Sequence, residues 1–420
     1  MLMKKSFQHN KAIDLSIKKD IPKDVLAFID FVTQKDFSLT LIGGSVRDYI
    51  LNGQFGLDFD FELQYLNEID SQSWQTKVDE LYKEIQSSFP YHSEVVSYKV
   101  LKCTYKTLDI EIAPARKEKF KEGEVGHKNF DVEFIAFDDN DEKQKLLRRD
   151  FTINAIGIEF RKNEILFKDY LNGVNDLENS NLQICSDTFY KDPVRFLRAI
   201  RFKEKFYFKF SSELEEQFQK MNLSEVSAHY FKYEASKIGF SNFFKEFDLY
   251  TKKYRLEIPK PLAGLSYESS YGYELNEFVF SLFDTIAQEK QENILNLGRF
   301  LGIQAKVMKR LISVRELINN EKFIENIKSE NNFFYYKEDK FILDETSEYL
   351  NQMFSIYKSE QALFEKLSSE DSRISNVTKI FKRFDKVEIE KTVKFCRKYE
   401  VEKSSMGVIA LLFDLGLLSE

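Results

Sequence analysis

Two aspartates two residues apart, Asp58 and Asp60, stand in the stretch LIGGSVRDYILNGQFGLDFDFEL. On a strand, side chains i and i+2 point to the same face, so both carboxylates can address one hard, oxygen-seeking cation such as Mg2+. Upstream, Gly43-Gly44 falls where the β-prone run SLTLI meets a helical pattern. Glycines at such a turn let backbone N–H groups approach an anion, and the following helix N-terminus adds its positive end. Taken singly, the glycines read as a tight turn and the aspartates as a solvent-facing strand; together they describe a metal-and-phosphate site. No GxxxxGK[ST] occurs in the sequence, which excludes a Walker-type phosphate loop.

Three further groups extend the chemistry. TLDIEIAPAR offers Asp109 and Glu111, again two apart, and one of them is expected to join the site as a third carboxylate. In LLRRDFTINAIGI, Arg148, Arg149 and Asp150 precede an apolar β-prone run; guanidinium groups suit phosphate oxygens, and a carboxylate accepts from ribose hydroxyls. In YKDPVRFLRAIRF, Asp192 and Arg195 lie three apart on one helix face. Asp192 also has the position of an N-cap, with Pro193 as the first helical residue. Cytosine and adenine both present an exocyclic amino donor beside a ring-nitrogen acceptor, so a carboxylate and an arginine could read either; uracil and guanine would be refused. Arg198 and Arg201 continue the same interval as a basic stripe suited to triphosphate or RNA backbone.

The elements that must position these residues are legible in outline. Short runs such as SLTLIGG, FDFEL, YKVLKCTYK and LDIEIAP predict strands, and IPKDVLAFIDFVTQ and SWQTKVDELYKEIQSSF predict helices, which gives one covered sheet before about residue 180. From Asp192 onward the text is amphipathic and helical, interrupted by a proline- and glycine-bearing joint over 259–273. A length of 420 residues, 43% hydrophobic, allows two or three domains. The net charge of −7 argues against indiscriminate nucleic-acid binding and leaves room for a local basic groove. No run is long and apolar enough for a membrane span, and the N-terminal text lacks the apolar core of a secretory signal. Cys103, Cys185 and Cys396 form no CxxC pair, so neither a disulfide framework nor a thiolate zinc site is expected, and a cytoplasmic location is.

In this order, GGSVRD with DFD, EIAPAR, RRDFTINA and DPVRFLRAIRF resemble the class II tRNA nucleotidyltransferase and bacterial poly(A) polymerase family, over roughly residues 38–245. The resemblance implies an α+β chain: a nucleotidyltransferase (polymerase β-like) head over 1–170, a helical base-recognising neck over 171–245, and a helical, tRNA-binding body and tail over 246–420. It implies that Asp58 and Asp60 hold two Mg2+ ions, with Glu111 as the third catalytic carboxylate. Gly43, Gly44, Arg47, Arg148, Asn154 and Arg198 would then bind nucleotide, Asp150 the ribose, and Asp192 with Arg195 the base edge. The expected activity is addition of CMP and AMP from CTP and ATP to the tRNA 3′ end, with no membrane or DNA partner. The rivals are a poly(A) polymerase, whose extra signature after the DFD strand is not found, and CC-adding or A-adding enzymes. Those partial enzymes would differ in a flexible loop placed within residues 67–100. A non-catalytic RNA-binding module is a further rival, disfavoured by the clustered carboxylates. The sequence departs from the family pattern where Lys191 replaces a glutamate before Asp192, and where His229-Tyr230 replace Glu-Arg. No histidine is followed by aspartate, so an HD phosphohydrolase domain is not expected.

Overall fold

The computed structural model describes residues 15–120, 125–127, 130–136, 142–270, 272–285, 291–305 and 307–308. The expectations for helices beyond residue 308, and for Cys396, lie outside them. The chain forms two compact units, Met1–Val226 with Tyr250–Ile258, and Ser227–Leu249 with the chain from Pro259 onward.

The first unit opens with helix α1 (Lys23–Thr33), which buries Val25, Phe28, Ile29 and Val32 on one face, then strand β1 (Phe37–Ile42), helix α2 (Gly44–Asn52) and strand β2 (Asp58–Tyr65). Helix α3 (Ser71–Ser88) follows, with strands β3 (His92–Val96), β4 (Val100–Tyr105) and β5 (Leu108–Pro114). A hairpin of β6 (Arg116–Phe120) and β7 (Phe130–Phe134) precedes the short helix α4 (Glu142–Leu146), strands β8 (Gly157–Phe160) and β9 (Ile165–Lys168), and helix α5 (Gly173–Glu178). The two-residue strands β10 (Asn181–Leu182) and β11 (Lys209–Phe210) pair across helix α6 (Val194–Phe206), and helix α7 (Ser212–Phe218) follows.

Seven strands make one sheet in the order β3-β4-β5-β2-β1-β8-β9. Neighbours in it are antiparallel except β2 and β5, which run parallel. Parallel neighbours need a long crossover, and α3, β3 and β4 supply it. The flexible loop placed within residues 67–100 is therefore corrected. Most of that stretch is α3 and β3, because Trp74, Val78, Leu81, Tyr82 and Ile85 recur at helical spacing and are all buried. Asp70 caps α3, accepting from the Gln72 and Ser73 amides at 3.0 Å each.

Phenylalanine does much of the packing around α6. The Phe151 ring sits 5.4 Å from Phe189 and 5.5 Å from Phe202, which seats α6 against the 150–154 turn. The second unit is helical, with α8 (Ala228–Ala235), α10 (Leu275–Thr285), α11 (Gln291–Phe300) and the start of α9 (Phe240–Tyr254). Its core is aromatic: Phe231, Phe243, Phe244, Phe247, Tyr267 and Phe278 are all 0 or 1% exposed. No helix among the described residues is long and apolar enough to cross a membrane.

Candidate active site

The strand period decides the placement of the acids. On β2, Phe59 and Phe61 point into the core, so Asp58 and Asp60 share the opposite face. The parallel register sets Asp58 beside Asp109 and Asp60 beside Glu111. All four acids thus line one face of one ladder. They are not equivalent, because β4 places Lys102 opposite Glu111 and Thr104 opposite Asp109. The Lys102 ammonium pairs with Glu111, and the Thr104 hydroxyl donates to Asp109 Oδ1 at 2.9 Å. Asp60 still reaches solvent, yet the protein packed around it raises its acid above the usual carboxylate range. The like charges of Glu111 and Asp58 act in the same sense, and Arg149 and Lys102 oppose them. Among the described residues no three His, Cys, Asp or Glu side chains converge on a single point.

Beside this ladder, β1 turns into α2 at Gly43, whose φ of +96° and ψ of −135° belong to a region only glycine enters freely. The Ser45 hydroxyl donates to the Asp58 carbonyl, tying the helix start to the head of β2. A methyl group at Gly43 would lie 3.5 Å from Arg149 Nη1, so the guanidinium stands over the turn. Burial, helped by the neighbouring Arg148, lowers Arg149 to about 10. A cation so held is drawn to any anion that can reach it.

The 148–154 turn is a hydrogen-bonded knot. Arg148 Nη2 donates to Glu62 Oε2 at 2.9 Å. Asp150 Oδ1 accepts from the Phe151 amide at 2.8 Å and from Asn154 Nδ2 at 3.0 Å, and Oδ2 accepts from Arg198 Nε at 2.6 Å. Burial works against ionisation of Asp150, but Arg198 and these donors outweigh it and hold the acid well below its usual range. Asn154 Oδ1 in turn accepts from Arg47 Nη1 at 2.7 Å. Arg47 is buried, bonded to Asp48, with its guanidinium 5.0 Å from the Phe202 ring centroid and 4.8 Å from that of Phe206. These four side chains therefore lock the turn and α6 onto α2.

Asp192 stands at the mouth of α6, where Oδ1 accepts from the Val194 amide at 3.0 Å. Three residues on, Arg195 Nη2 donates to the Arg148 carbonyl at 2.6 Å, while Arg195 Nε lies 3.9 Å from Asp192 Oδ2. Arg195 is only 6% exposed, and its buried Nη1 has no partner; Arg148 Nε and Arg149 Nε are likewise unmatched. An unmatched buried donor costs about 1–3 kcal/mol, which a ligand acceptor can recover.

The structure brings together Gly43, Gly44, Asp58, Asp60 and Glu111 on one side of the unit. Arg47, Asp150, Asn154 and Arg198 lie in the knot behind, and Asp192 with Arg195 at the helix mouth. Arg149, rather than Arg148, stands over the glycine turn; it belongs to the triplet that the sequence offers for phosphate, although the family resemblance implied Arg148 alone. The sequence reading missed Lys102, which strand alternation in YKVLKCTYK could have placed on the acids' face.

A family model described as the poly A polymerase head domain matches residues 39–183. The match covers about a third of the chain, all of it in the first unit. The matched stretch takes in the glycine turn, both carboxylate strands and the 148–154 turn, and stops short of Asp192. The chain is similar to the multifunctional CCA protein of Haemophilus ducreyi, 31% identical over 184 residues, 43% of this chain and 39% of that protein. It is also similar to the CCA-adding enzyme of Bacillus pumilus, 30% identical over 202 residues, 47% and 44% of the two chains. The chain thus spans less than half the length of these curated relatives. Among solved structures, a CCA-adding enzyme in complex with ATP aligns over 97% of each chain at 16% identity with a TM-score of 0.59. The Bacillus stearothermophilus CCA-adding enzyme in complex with CTP aligns over 77% of this chain and 75% of that one, at 17% identity and a TM-score of 0.51. At such identities the likeness is one of fold: a nucleotidyltransferase head in an α+β chain.

Proposed function

We propose that the chain is a CCA-adding tRNA nucleotidyltransferase, transferring CMP and AMP from CTP and ATP to the tRNA 3′ end without a nucleic-acid template. The observation that carries this reading is the in-register ladder of Asp58, Asp60 and Glu111 beside the Gly43 turn and the buried Arg149. The names of the relatives supply the substrate class. In this reading residues 1–170 are the catalytic head, 171–245 the base-reading neck, and 246–420 the tRNA-binding body and tail. The location is cytoplasmic.

The hard oxygen donors fit Mg2+, which commonly takes one or two protein carboxylates and completes its shell with water and substrate phosphates. Burial raises Asp60 first, and the like charges of Glu111 and Asp58 add a repulsion that a bound cation would relieve. Asp58 and Asp60 would hold the metal, with Glu111 alongside; when bound, it activates the attacking hydroxyl and offsets charge on the phosphates. The protein's own part is positioning and electrostatics. The backbone at Gly43 and Gly44 leaves room for the triphosphate and Arg149 attracts it, while the Asp150–Asn154–Arg47 knot fixes that turn against α6. At the mouth of α6, Asp192 accepts the amino proton of cytosine or adenine, and Arg195 Nη1 donates to the adjacent ring nitrogen.

The test offers purified protein tRNAs ending at the discriminator base, after one C and after two, with CTP and ATP singly and together. Three added nucleotides and no more are expected. Long adenosine tails would identify a poly(A) polymerase, arrest after two cytidines or addition of A alone a partial enzyme, and RNA binding without incorporation a non-catalytic module.

A further inference from the structure

Two residues of the β6–β7 hairpin region reach the base-reading pair. His127 Nδ1 lies 3.1 Å from Asp192 Oδ1 and 3.0 Å from Oδ2, and because a carboxylate only accepts, Nδ1 carries the proton. The neighbouring Gly126 amide donates to the Lys191 carbonyl at 2.9 Å, fixing this strand of backbone beside the helix mouth. Phe120, at the end of β6, stands with its ring centroid 5.9 Å from the Arg195 guanidinium, and the Phe189 centroid lies 5.6 Å from the same group.

Asp192 precedes the first turn of α6 and Arg195 lies within it, close enough for carboxylate and guanidinium to close into a hydrogen-bonded pair. Here the ion pair is a long one: Arg195 Nε and Asp192 Oδ2 are 3.9 Å apart, beyond hydrogen-bond reach. Arg195 is drawn aside by the Arg148 carbonyl and stacked between two rings. Asp192 is held from the other side by His127, which bonds both oxygens and so fixes the plane of the carboxylate. Without that bond the acid keeps its anchor to the Val194 amide through Oδ1 alone, and Oδ2 is free to swing onto Arg195. A closed Asp192–Arg195 pair would offer a base neither acceptor nor donor.

We infer that His127 is a positioning residue for nucleotide selection: its Nδ1–H holds the Asp192 carboxylate apart from Arg195, keeping both free to read cytosine and adenine. This rests on the base-reading role proposed above for Asp192 and Arg195. The side chain is 29% exposed, so substitutions there leave the core intact.

The experiment measures kcat/KM for CTP, ATP and UTP with tRNA lacking its 3′ end, for the wild type, His127→Ala, His127→Asn, His127→Gln and Asp192→Asn. An asparagine amide stands where Nδ1 does and a glutamine amide where Nε2 does, so only His127→Asn restores the bond. His127→Ala and His127→Gln should lower kcat/KM for CTP and ATP about tenfold, the scale of one charge-assisted hydrogen bond, mainly through KM. The CTP-to-UTP preference should narrow by a similar factor and recover in His127→Asn. Each preference is a ratio within one preparation, so partial loss of folded enzyme does not alter it. If Asp192→Asn erodes the preference while His127→Ala matches the wild type, or if Asn and Gln behave alike, the positioning role is wrong and base reading stands. If Asp192→Asn keeps full preference for C and A over U, base reading itself is wrong and this inference falls with it.

Discussion

The Asp150–Arg198 pair ties the 148–154 turn to α6, and Arg198→Met breaks it while keeping an apolar stem over Phe202. Removing one partner of a fully buried ion pair costs about 3–5 kcal/mol. Arg198 is 33% exposed, and Asp150 keeps the Phe151 amide and the Asn154 side chain, so the expected cost is about 2–3 kcal/mol. In a unit of this size that lowers Tm by about 4–12 °C. Urea and thermal unfolding of Arg198→Met, Asp150→Asn and the double variant would measure it. The double variant should be less destabilised than the sum of the singles by about 1–3 kcal/mol. The pH dependence has a defined sign. The folded-state acid of Asp150 is depressed, so its stabilisation is present above the unfolded carboxylate value and lost as pH falls through the folded one. Without Arg198 the folded value rises, so the gap between wild type and Arg198→Met is full at pH 7 and shrinks in acid, below about pH 4. An additive double variant, or a gap that stays constant from neutral to strongly acid pH, would show that the pair does not hold the turn.

Other perturbations follow from the same geometry. Asp58→Asn should reduce transfer at least about a thousandfold while tRNA affinity, followed by filter binding, stays within a few-fold of wild type; near-normal turnover would remove the metal assignment. Gly43→Ala forces a side chain into a positive φ at a cost of about 1–2 kcal/mol, and should raise KM for CTP about tenfold with little change in KM for tRNA. Lys102→Met removes the cation paired with Glu111, so Mn2+ binding to the protein alone, followed by titration, should tighten by up to about tenfold. Unchanged or weaker binding would mean that Lys102 does not compete with a metal for Glu111.

Much of the site was legible because the relevant periods are short. Alternation alone placed Asp58 with Asp60 and Asp109 with Glu111, and the glycine pair marked the strand-to-helix turn. What could not be read depends on pairing between distant segments. Setting Asp109 beside Asp58 and Glu111 beside Asp60 needed the β2–β5 register, and finding Lys102 needed the β4–β5 register. Arg148 and Arg149 are adjacent in an irregular turn, where no period says which reaches Glu62 and which the glycines. The contact of His127 with Asp192 spans 65 residues and leaves no local trace. The loop expected within 67–100 overlaps the helix that SWQTKVDELYKEIQSSF predicts, and the buried Trp74-to-Ile85 face makes that stretch helix.

Because β2 and β5 run in the same direction, the acids on them cannot meet through a hairpin. During synthesis Asp58 and Asp60 leave the ribosome well ahead of Glu111, and the arginine that braces the knot emerges later still. On the proposed metal assignment, a nascent chain carries Asp58 and Asp60 without Glu111 until the long excursion through α3 has folded back. A product terminated ahead of Leu108 lacks Glu111 and should bind Mn2+ more weakly than the whole chain, however well its first helices form.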